Sequence, residues 1–510
     1  MKKLPIGIQT FSLLREEGYC YVDKTPLIAR LADEGRYYFL SRPRRFGKSL
    51  LVTTLAEAFA GNRALFEGLY LADHWDWARR HPVIRMDLGQ GVIQSRQRLD
   101  ERLLRILGME AEAHGEVLDS HHPADAFEEL IHKLHRGCGQ RVVVLVDEYD
   151  KPILDNIEHP ERARELRDGL RNLYSVIKAQ DAHLHFGLLT GVSKFSKVSL
   201  FSGLNNLKDI TLDARFATLC GYTQAELESV FAEHLHGVDM AEVRRWYNGY
   251  NFLGERVYNP FDVLLYLDNR RFRNYWFETG TPSFLVELMR RRGFSAPRLE
   301  NLEVTERLLG SFEVDDMEPE TLLFQAGYLT ILEERGLPGV EAYRLGFPNQ
   351  EVRQSLSDHY LAALSRAGSR QDRTKLALYR ALEADDPAAL EGLFRAFFAA
   401  IPHDWYRKNQ LAGYEGYYAS IVYCYFAALG VDVIPEDSSN HGQIDLAVRM
   451  PGRVWLIEFK VSETDTAGTA LAQIRERGYA AKYAGQGISL IGVAFSPAER
   501  NVVGFAWERE

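Results

Sequence analysis

Cysteine is scarce in this chain: four residues, Cys20, Cys138, Cys220 and Cys424, stand far apart in 510 positions. Such spacing indicates neither a zinc knuckle nor a disulfide framework, and it fits a reducing cytoplasm. Long apolar runs are absent too. Nowhere do eighteen apolar residues follow one another, and Lys2 and Lys3 lead into no apolar segment, so neither membrane insertion nor export is expected. Basic residues are not in excess either: 61 Lys and Arg against 71 Asp and Glu give a net charge of −10. A chain-wide nucleic-acid footprint is thereby excluded, and any such contact must use local patches. Two are candidates: Arg270-Arg271-Phe272-Arg273 with Tyr275 and Trp276 nearby, and Arg290-Arg291-Arg292. The competing reading is that these arginines cap helix carbonyls or sit in solvent. Internal repeats and low-complexity tracts are lacking, while 46% apolar and 26% charged residues describe an ordinary folded chain. Its length exceeds what one hydrophobic core organises, and about three or four domains are expected.

What is present begins with Arg42-Pro43-Arg44-Arg45-Phe46-Gly47-Lys48-Ser49, set between the strand-like run Tyr37-Tyr38-Phe39-Leu40 and a helix-like run. A tight turn there aims successive backbone N–H groups, and the positive end of a helix, at one anionic spot. Gly47 permits close backbone approach, Lys48 reaches the outer phosphates and Ser49 ligates a magnesium ion shared with them. The closing Gly-Lys-Ser of a phosphate loop is kept, but Arg42 stands where its first glycine belongs. A Gly-Lys-Ser can also be a simple helix opening, so a second element has to decide.

That element is Val142-Val143-Val144-Leu145-Val146, which reads as a strand buried on both faces of a parallel sheet, followed by Asp147-Glu148-Tyr149-Asp150 at its carboxyl end. Ligands of open α/β sheets bind at that end. Asp147 is placed to hold magnesium through water, and Glu148 to orient or deprotonate an attacking water. A further strand, His183 to Leu189, leads to Thr190 and Ser193, candidates for sensing a terminal phosphate.

Val22-Asp23-Lys24-Thr25, Arg42 to Ser49, Asp147-Glu148-Tyr149-Asp150 and Trp246-Tyr247-Asn248-Gly249-Tyr250 together resemble the divergent AAA-ATPase-like proteins of prokaryotes. Those proteins have Arg-Pro-Arg-Arg-Phe-Gly-Lys-Ser in place of a full Walker A motif. The resemblance covers about the first half of the chain and implies an ATP-binding α/β core of the STAND/AAA type. Many such proteins carry a PD-(D/E)XK nuclease-like domain at the C-terminus, and this chain resembles them there as well.

From the residues, Gly442-Gln443-Ile444-Asp445-Leu446-Ala447-Val448 and Val454-Trp455-Leu456-Ile457-Glu458-Phe459-Lys460 read as two strands joined by a turn at Met450-Pro451-Gly452-Arg453. The hairpin brings Asp445 near Glu458, and alternation puts Glu458 and Lys460 on one face with Phe459 on the other. Two carboxylates attract magnesium, which polarises a phosphodiester and activates water, while the lysine positions that water or stabilises the pentavalent charge. Upstream, Tyr418, Ile421, Val422, Tyr425, Phe426 and Leu429 recur at helical spacing, with Glu415 one turn earlier on the same face. Downstream, Gln473 and Tyr479 lie on one helix-like segment, Ala470 to Tyr483. Glu415, Asp445, Glu458, Lys460 and Gln473 are the positions at which the family's site is matched.

The expected fold is therefore α/β: a P-loop NTPase-like parallel sheet over 1–220, a helical lid over 221–300, a connector over 301–375 that admits a winged-helix reading, and a restriction-endonuclease-like α/β domain over 376–510. Thr25 is expected to N-cap a helix with Pro26 at its first position. Gly368 to Arg373 is polar enough to mark a boundary. The functional expectation is an ATP-binding switch, with ATP and Mg2+ as cofactors, coupled to a nuclease that acts on DNA in preference to RNA in defence against foreign nucleic acid. Its metal ligands are Ser49, Asp147, Asp445 and Glu458. The alternative is a nucleotide-binding regulatory protein whose nuclease fold cuts nothing, and self-association into a homo-oligomer stays open.

Overall fold

The computed structural model describes residues 1–194, 200, 206–277, 289, 296–310, 318–336, 339–365, 369–401, 415–439 and 442–510. The Arg290-Arg291-Arg292 patch lies outside them. Two compact units form: Met1–Trp276 with Glu303–Arg344, and Phe277–Leu302 with Leu345–Glu510. No helix among the described residues is long and apolar enough to cross a membrane.

The first unit is built on five parallel strands: β1 (Tyr37–Ser41), β2 (Val83–Asp87), β3 (Val142–Asp147), β4 (Leu184–Gly191) and β5 (Lys208–Asp209). Their order is β2-β3-β4-β1-β5. β1 and β3 are buried at every position, as uninterrupted apolar runs must be when helices cover both faces of a sheet. The order sets the carboxyl end of β4 between those of β1 and β3, so Ser41, Gly191 and Asp147 finish three adjacent strands.

Thr25 opens helix Thr25–Glu34 but is not its N-cap, a departure from the sequence reading. The cap oxygen comes from Asp23, whose Oδ1 accepts the Thr25 N–H at 2.9 Å and the Thr25 hydroxyl at 2.6 Å. Thr25 Oγ1 in turn accepts the Leu71 N–H, and Lys24 reaches Glu226 at 2.6 Å. The Val-Asp-Lys-Thr motif is thus a clasp between distant segments.

After β5 come helices Gln224–Val230, Met240–Tyr247 and Pro260–Asn269. Thr223 and Glu226 form a capping box on the first, and Asn259 caps the third. In the patch Arg270 to Trp276 the three arginines are exposed and the aromatic side chains pack inward. Arg270 terminates helix Pro260–Asn269 in the left-handed region and donates to the His234 carbonyl; Phe272 stacks on Trp246 and Tyr266, and Tyr275 and Trp276 are buried. Those rings are in the core, where they cannot stack on bases. Strands β6 (Leu302–Thr305), β7 (Thr330–Glu334) and β8 (Ala342–Gly346) form a small sheet in the order β6-β8-β7, with helices Glu306–Leu309 and Pro319–Ala326 between the first two.

The second unit carries a mixed sheet, β13-β12-β11-β10-β9, of β9 (Asp432–Ser439), β10 (Gly442–Met450), β11 (Arg453–Val461), β12 (Gly487–Ser496) and β13 (Asn501–Arg509). β10 pairs antiparallel with β9 and β11, and β11 pairs in parallel with β12 through the crossover helix Ala467–Glu476. Helix Glu415–Ala428 is buried from Ser420 through Ala428 and packs into one core with Leu446, Val448, Trp455 and Ile457. Its apolar residues were read as a single stripe. They occupy every side instead, as a helix enclosed by the sheet and by helix Gln350–Ser365 requires. The expected helix Ala470 to Tyr483 is also two elements, because Gly478 at φ 59° ends the first before a 3-10 turn, Tyr479–Tyr483.

Candidate active sites

β1 ends at Ser41, whose N–H donates to Thr211 Oγ1 and whose hydroxyl donates to the Val192 carbonyl. The chain then turns through Arg42 to Gly47 into helix Lys48–Phe59, with Arg45 and Gly47 at φ 67° and 92°. A Cβ at Gly47 would meet nothing within 4 Å. The backbone conformation alone therefore calls for glycine here.

Arg42, expected among the phosphate ligands, points elsewhere. Its guanidinium is fully buried, donates to the carbonyls of Ser41, Thr211 and Phe216, and lies 3.9 Å from the Phe252 ring centre. Burial draws its pKa down to about 10. It is a strut beneath the loop. Phe46 is buried edge-on to Tyr250 and Phe252, which fastens the loop to the segment after helix Met240–Tyr247. Arg44 and Arg45 are exposed, the latter over the Phe261 ring. Lys48 is buried as well: its Nζ donates to the carbonyls of Arg42 at 3.1 Å and Pro43 at 3.2 Å and stands 3.8 Å from Glu148. The ammonium is thus bonded within the loop itself, where a phosphate would compete with two carbonyls for it.

Facing the loop is the end of β3. Burial pushes the Asp147 carboxyl up to about 6; a hydrogen bond from Ser49 opposes this and Glu148 adds to it. Asp87, the last residue of β2 and the register partner of Asp147, raises it further. Asp87 was not singled out from the sequence, where a strand ending in a carboxylate was the available signal. Glu148 sits at φ 52°, a left-handed conformation that non-glycine residues rarely hold, with its carboxylate partly exposed toward Lys48. A buried carboxylate whose neighbours are also acidic is the arrangement that a divalent cation relieves, so Ser49 and Asp147 fit magnesium. Asp150 is fully buried and accepts from Val192 N at 3.1 Å, Ser193 N at 2.6 Å and Ser193 Oγ at 2.6 Å. Ser193 is occupied by that bond. Thr190 Oγ1 is buried and among the described residues has no hydrogen-bond partner, which favours Thr190 of the two sensor candidates.

In the second unit, Leu446 lies opposite Ile457, a register that sets Asp445 level with Glu458. Asp445 Oδ2 accepts the Phe459 N–H at 2.8 Å. Glu458 Oε1 accepts from Lys460 Nζ at 3.1 Å and from the Gln473 amide. Phe459 points the other way, into the core. Burial, then the nearby Asp445 charge, pushes Glu458 up to about 7, and burial raises Asp445 too. Glu458 Oε2 is buried and among the described residues has no hydrogen-bond partner. A buried carboxylate oxygen of this kind beside a second carboxylate suits a hard cation. Among the described residues no three His, Cys, Asp or Glu side chains converge as a metal cage. Magnesium here would rest on Asp445 and Glu458, with water and substrate oxygens completing its shell.

The structure thus gathers Asp445, Glu458, Lys460 and Gln473. Glu415 opens its helix, but its side chain lies outside the described residues. Tyr479 is buried and donates to the Gln443 carbonyl, bracing β10.

Comparison with known proteins agrees with both halves. The family described as predicted AAA-ATPase matches residues 5–201, and the PD-(D/E)XK nuclease superfamily matches residues 413–505. A protein of Azotobacter chroococcum mcd 1, described as an uncharacterized protein in the vnfD 5' region, is 55% identical over 510 residues, 99% of each chain.

Proposed function

Since the chain belongs to the predicted AAA-ATPase family and carries a PD-(D/E)XK nuclease superfamily domain, we propose that it is an ATP-binding switch governing a magnesium-dependent nuclease that cuts DNA in preference to RNA. The observation that carries the nuclease half is the buried, unpartnered Glu458 Oε2 beside Asp445, with Lys460 and Gln473 on the other oxygen. Bound between Asp445 and Glu458, magnesium would polarise the phosphodiester and lower the pKa of a water. Gln473 orients Glu458, and Lys460 brings positive charge to the oxygens on which negative charge builds. In the first unit Ser49 and Asp147 would hold the magnesium of ATP, Lys48 would exchange its carbonyl partners for phosphate, and Glu148 would orient the attacking water. A role against foreign nucleic acid suits this pairing of activities. All four cysteines are unpaired, which supports a reducing compartment.

A second reading, nucleotide binding by a regulatory protein that cuts nothing, draws support from the C-terminal site, where among the described residues only two carboxylates, Asp445 and Glu458, are gathered and no three His, Cys, Asp or Glu side chains converge. Magnesium-dependent cleavage of single- and double-stranded DNA and RNA, with and without ATP, separates the two. Loss of cleavage in Asp445→Ala and Lys460→Ala, with nucleotide binding intact, is the outcome expected of a nuclease. A wild type that cuts none of these polymers under any nucleotide condition gives the second reading the field.

A further inference from the structure

A polyanion approaching Asp445 and Glu458 meets like charge, in a chain whose net charge is already −10. Docking a phosphate there requires cations at the rim, and the surrounding basic side chains differ in what they have left to give. Lys460 is tied to Glu458. Arg475 pairs with Glu508, and Lys482 with Asp437 at 2.5 Å. Arg477 is exposed, and among the described residues it pairs with no carboxylate. Its Nη1 donates to the neutral Tyr479 hydroxyl at 3.1 Å.

Position matters as much as charge. Arg477 N donates to Gln473 O at 3.1 Å, so helical geometry continues through residue 477, and Gln473 and Arg477 are four apart on one face, ~5–6 Å between Cβ atoms. Gln473 reaches down that face to Glu458. Arg477 is the next residue along the same stripe, one turn beyond Gln473 and exposed to solvent. Gly478, at φ 59°, then reverses the chain so that Tyr479 packs against β10, where its hydroxyl donates to the Gln443 carbonyl and receives the Arg477 N–H. The guanidinium is therefore held by a buried anchor while most of its donor fork faces outward. A planar fork held in place suits the paired oxygens of a phosphate.

We propose that Arg477 is a substrate-positioning residue that grips a backbone phosphate of the nucleic-acid strand next to the one cut between Asp445 and Glu458. The inference rests on the nuclease reading above. It assigns Arg477 to binding and register, not to the chemical step, and it makes no demand on base identity.

The test measures binding of a short DNA duplex and of a single-stranded oligonucleotide across a range of salt, in full-length protein carrying Asp445→Ala so that the strand stays intact. Adding Arg477→Ala is expected to weaken binding roughly 3- to 10-fold near 0.1 M salt and to reduce the log–log salt slope by about one phosphate contact. Adding Arg477→Lys should restore the slope while recovering only part of the affinity, since the charge returns without the fork. A residue that merely braced the turn would lower the melting temperature and leave the slope alone. An unchanged slope in Arg477→Ala, or no oligonucleotide binding at all, overturns the assignment. Cleavage by the wild type reports separately on the nuclease reading, so a chain that cuts DNA but shows no slope change loses only Arg477.

Discussion

Glu458 releases its proton less readily in the folded chain because it is buried beside Asp445, and that has a sign. Its pKa in the folded chain, about 7, lies above the ordinary 4.5, so the folded state keeps a proton that the unfolded chain releases. The contribution to stability is present below about pH 4.5 and is lost as pH rises to about 7, by up to roughly 3 kcal/mol. Glu458→Gln removes this loss. Denaturant unfolding without divalent ions should find the variant more stable than wild type at pH 8 and level with it near pH 4.5. A wild-type stability that stays flat across the window would contradict the burial argument. On the proposed function magnesium would displace the same proton, so its affinity should fall towards ~10-fold per pH unit below pH 7, with proton release visible by calorimetry in several buffers. Arg42 shows what a residue type in a motif does not disclose. Its place in the loop was plain from the sequence, but whether a guanidinium faces a phosphate or three carbonyls depends on Thr211 and Phe216, about 170 residues away.

At the scale of elements, the parts dictated by burial on both faces were readable. β1, β3 and the β10–β11 hairpin fall where their apolar runs place them, because a run of that kind has few other ways to leave water. Helix Glu415–Ala428 was legible as a helix but not as a buried one, since an all-round apolar helix satisfies a one-face pattern too. The break at Gly478 was missed because a single glycine inside a helical pattern is also tolerated. The hydrogen bonds that lock β3 to β4 had no sequence signal beyond the presence of Asp150. That carboxylate takes three donors from Val192 and Ser193, and the Tyr149 hydroxyl donates to the Ser193 carbonyl. A Cβ at Gly191 would run into Asp150 and the Tyr149 ring. Asp150→Asn should lower unfolding free energy by about 1.5–3 kcal/mol, the worth of hydrogen bonds to a charged acceptor. It should also depress ATP turnover more than ATP affinity, because Thr190 is carried on the strand end that the clamp fixes. Comparing kcat with the nucleotide dissociation constant checks this; equal losses in both would reduce Asp150 to a fold determinant.

For the whole molecule, a switch is a statement about free energy and not about proximity. If ATP alters cleavage through affinity for the nucleic acid, the nucleic acid must alter ATP affinity by the same factor, each tenfold corresponding to about 1.4 kcal/mol. The reciprocal measurement needs no chemistry. ATP binding is titrated with and without saturating oligonucleotide in Asp445→Ala, and oligonucleotide binding with and without saturating ATP. The two ratios are expected to agree and to differ from one. Lys48→Ala, which removes the ammonium now satisfied by Arg42 and Pro43, should weaken ATP binding at least ~10-fold and fix cleavage at its nucleotide-free rate, while magnesium binding at Glu458 keeps its pH dependence. The same titrations followed by mass decide whether ATP also assembles the chain, because an equilibrium with oligomers makes the apparent ATP affinity depend on protein concentration. Ratios equal to one would leave two domains on one polypeptide, an ATP-binding unit and a nuclease, with no communication between them.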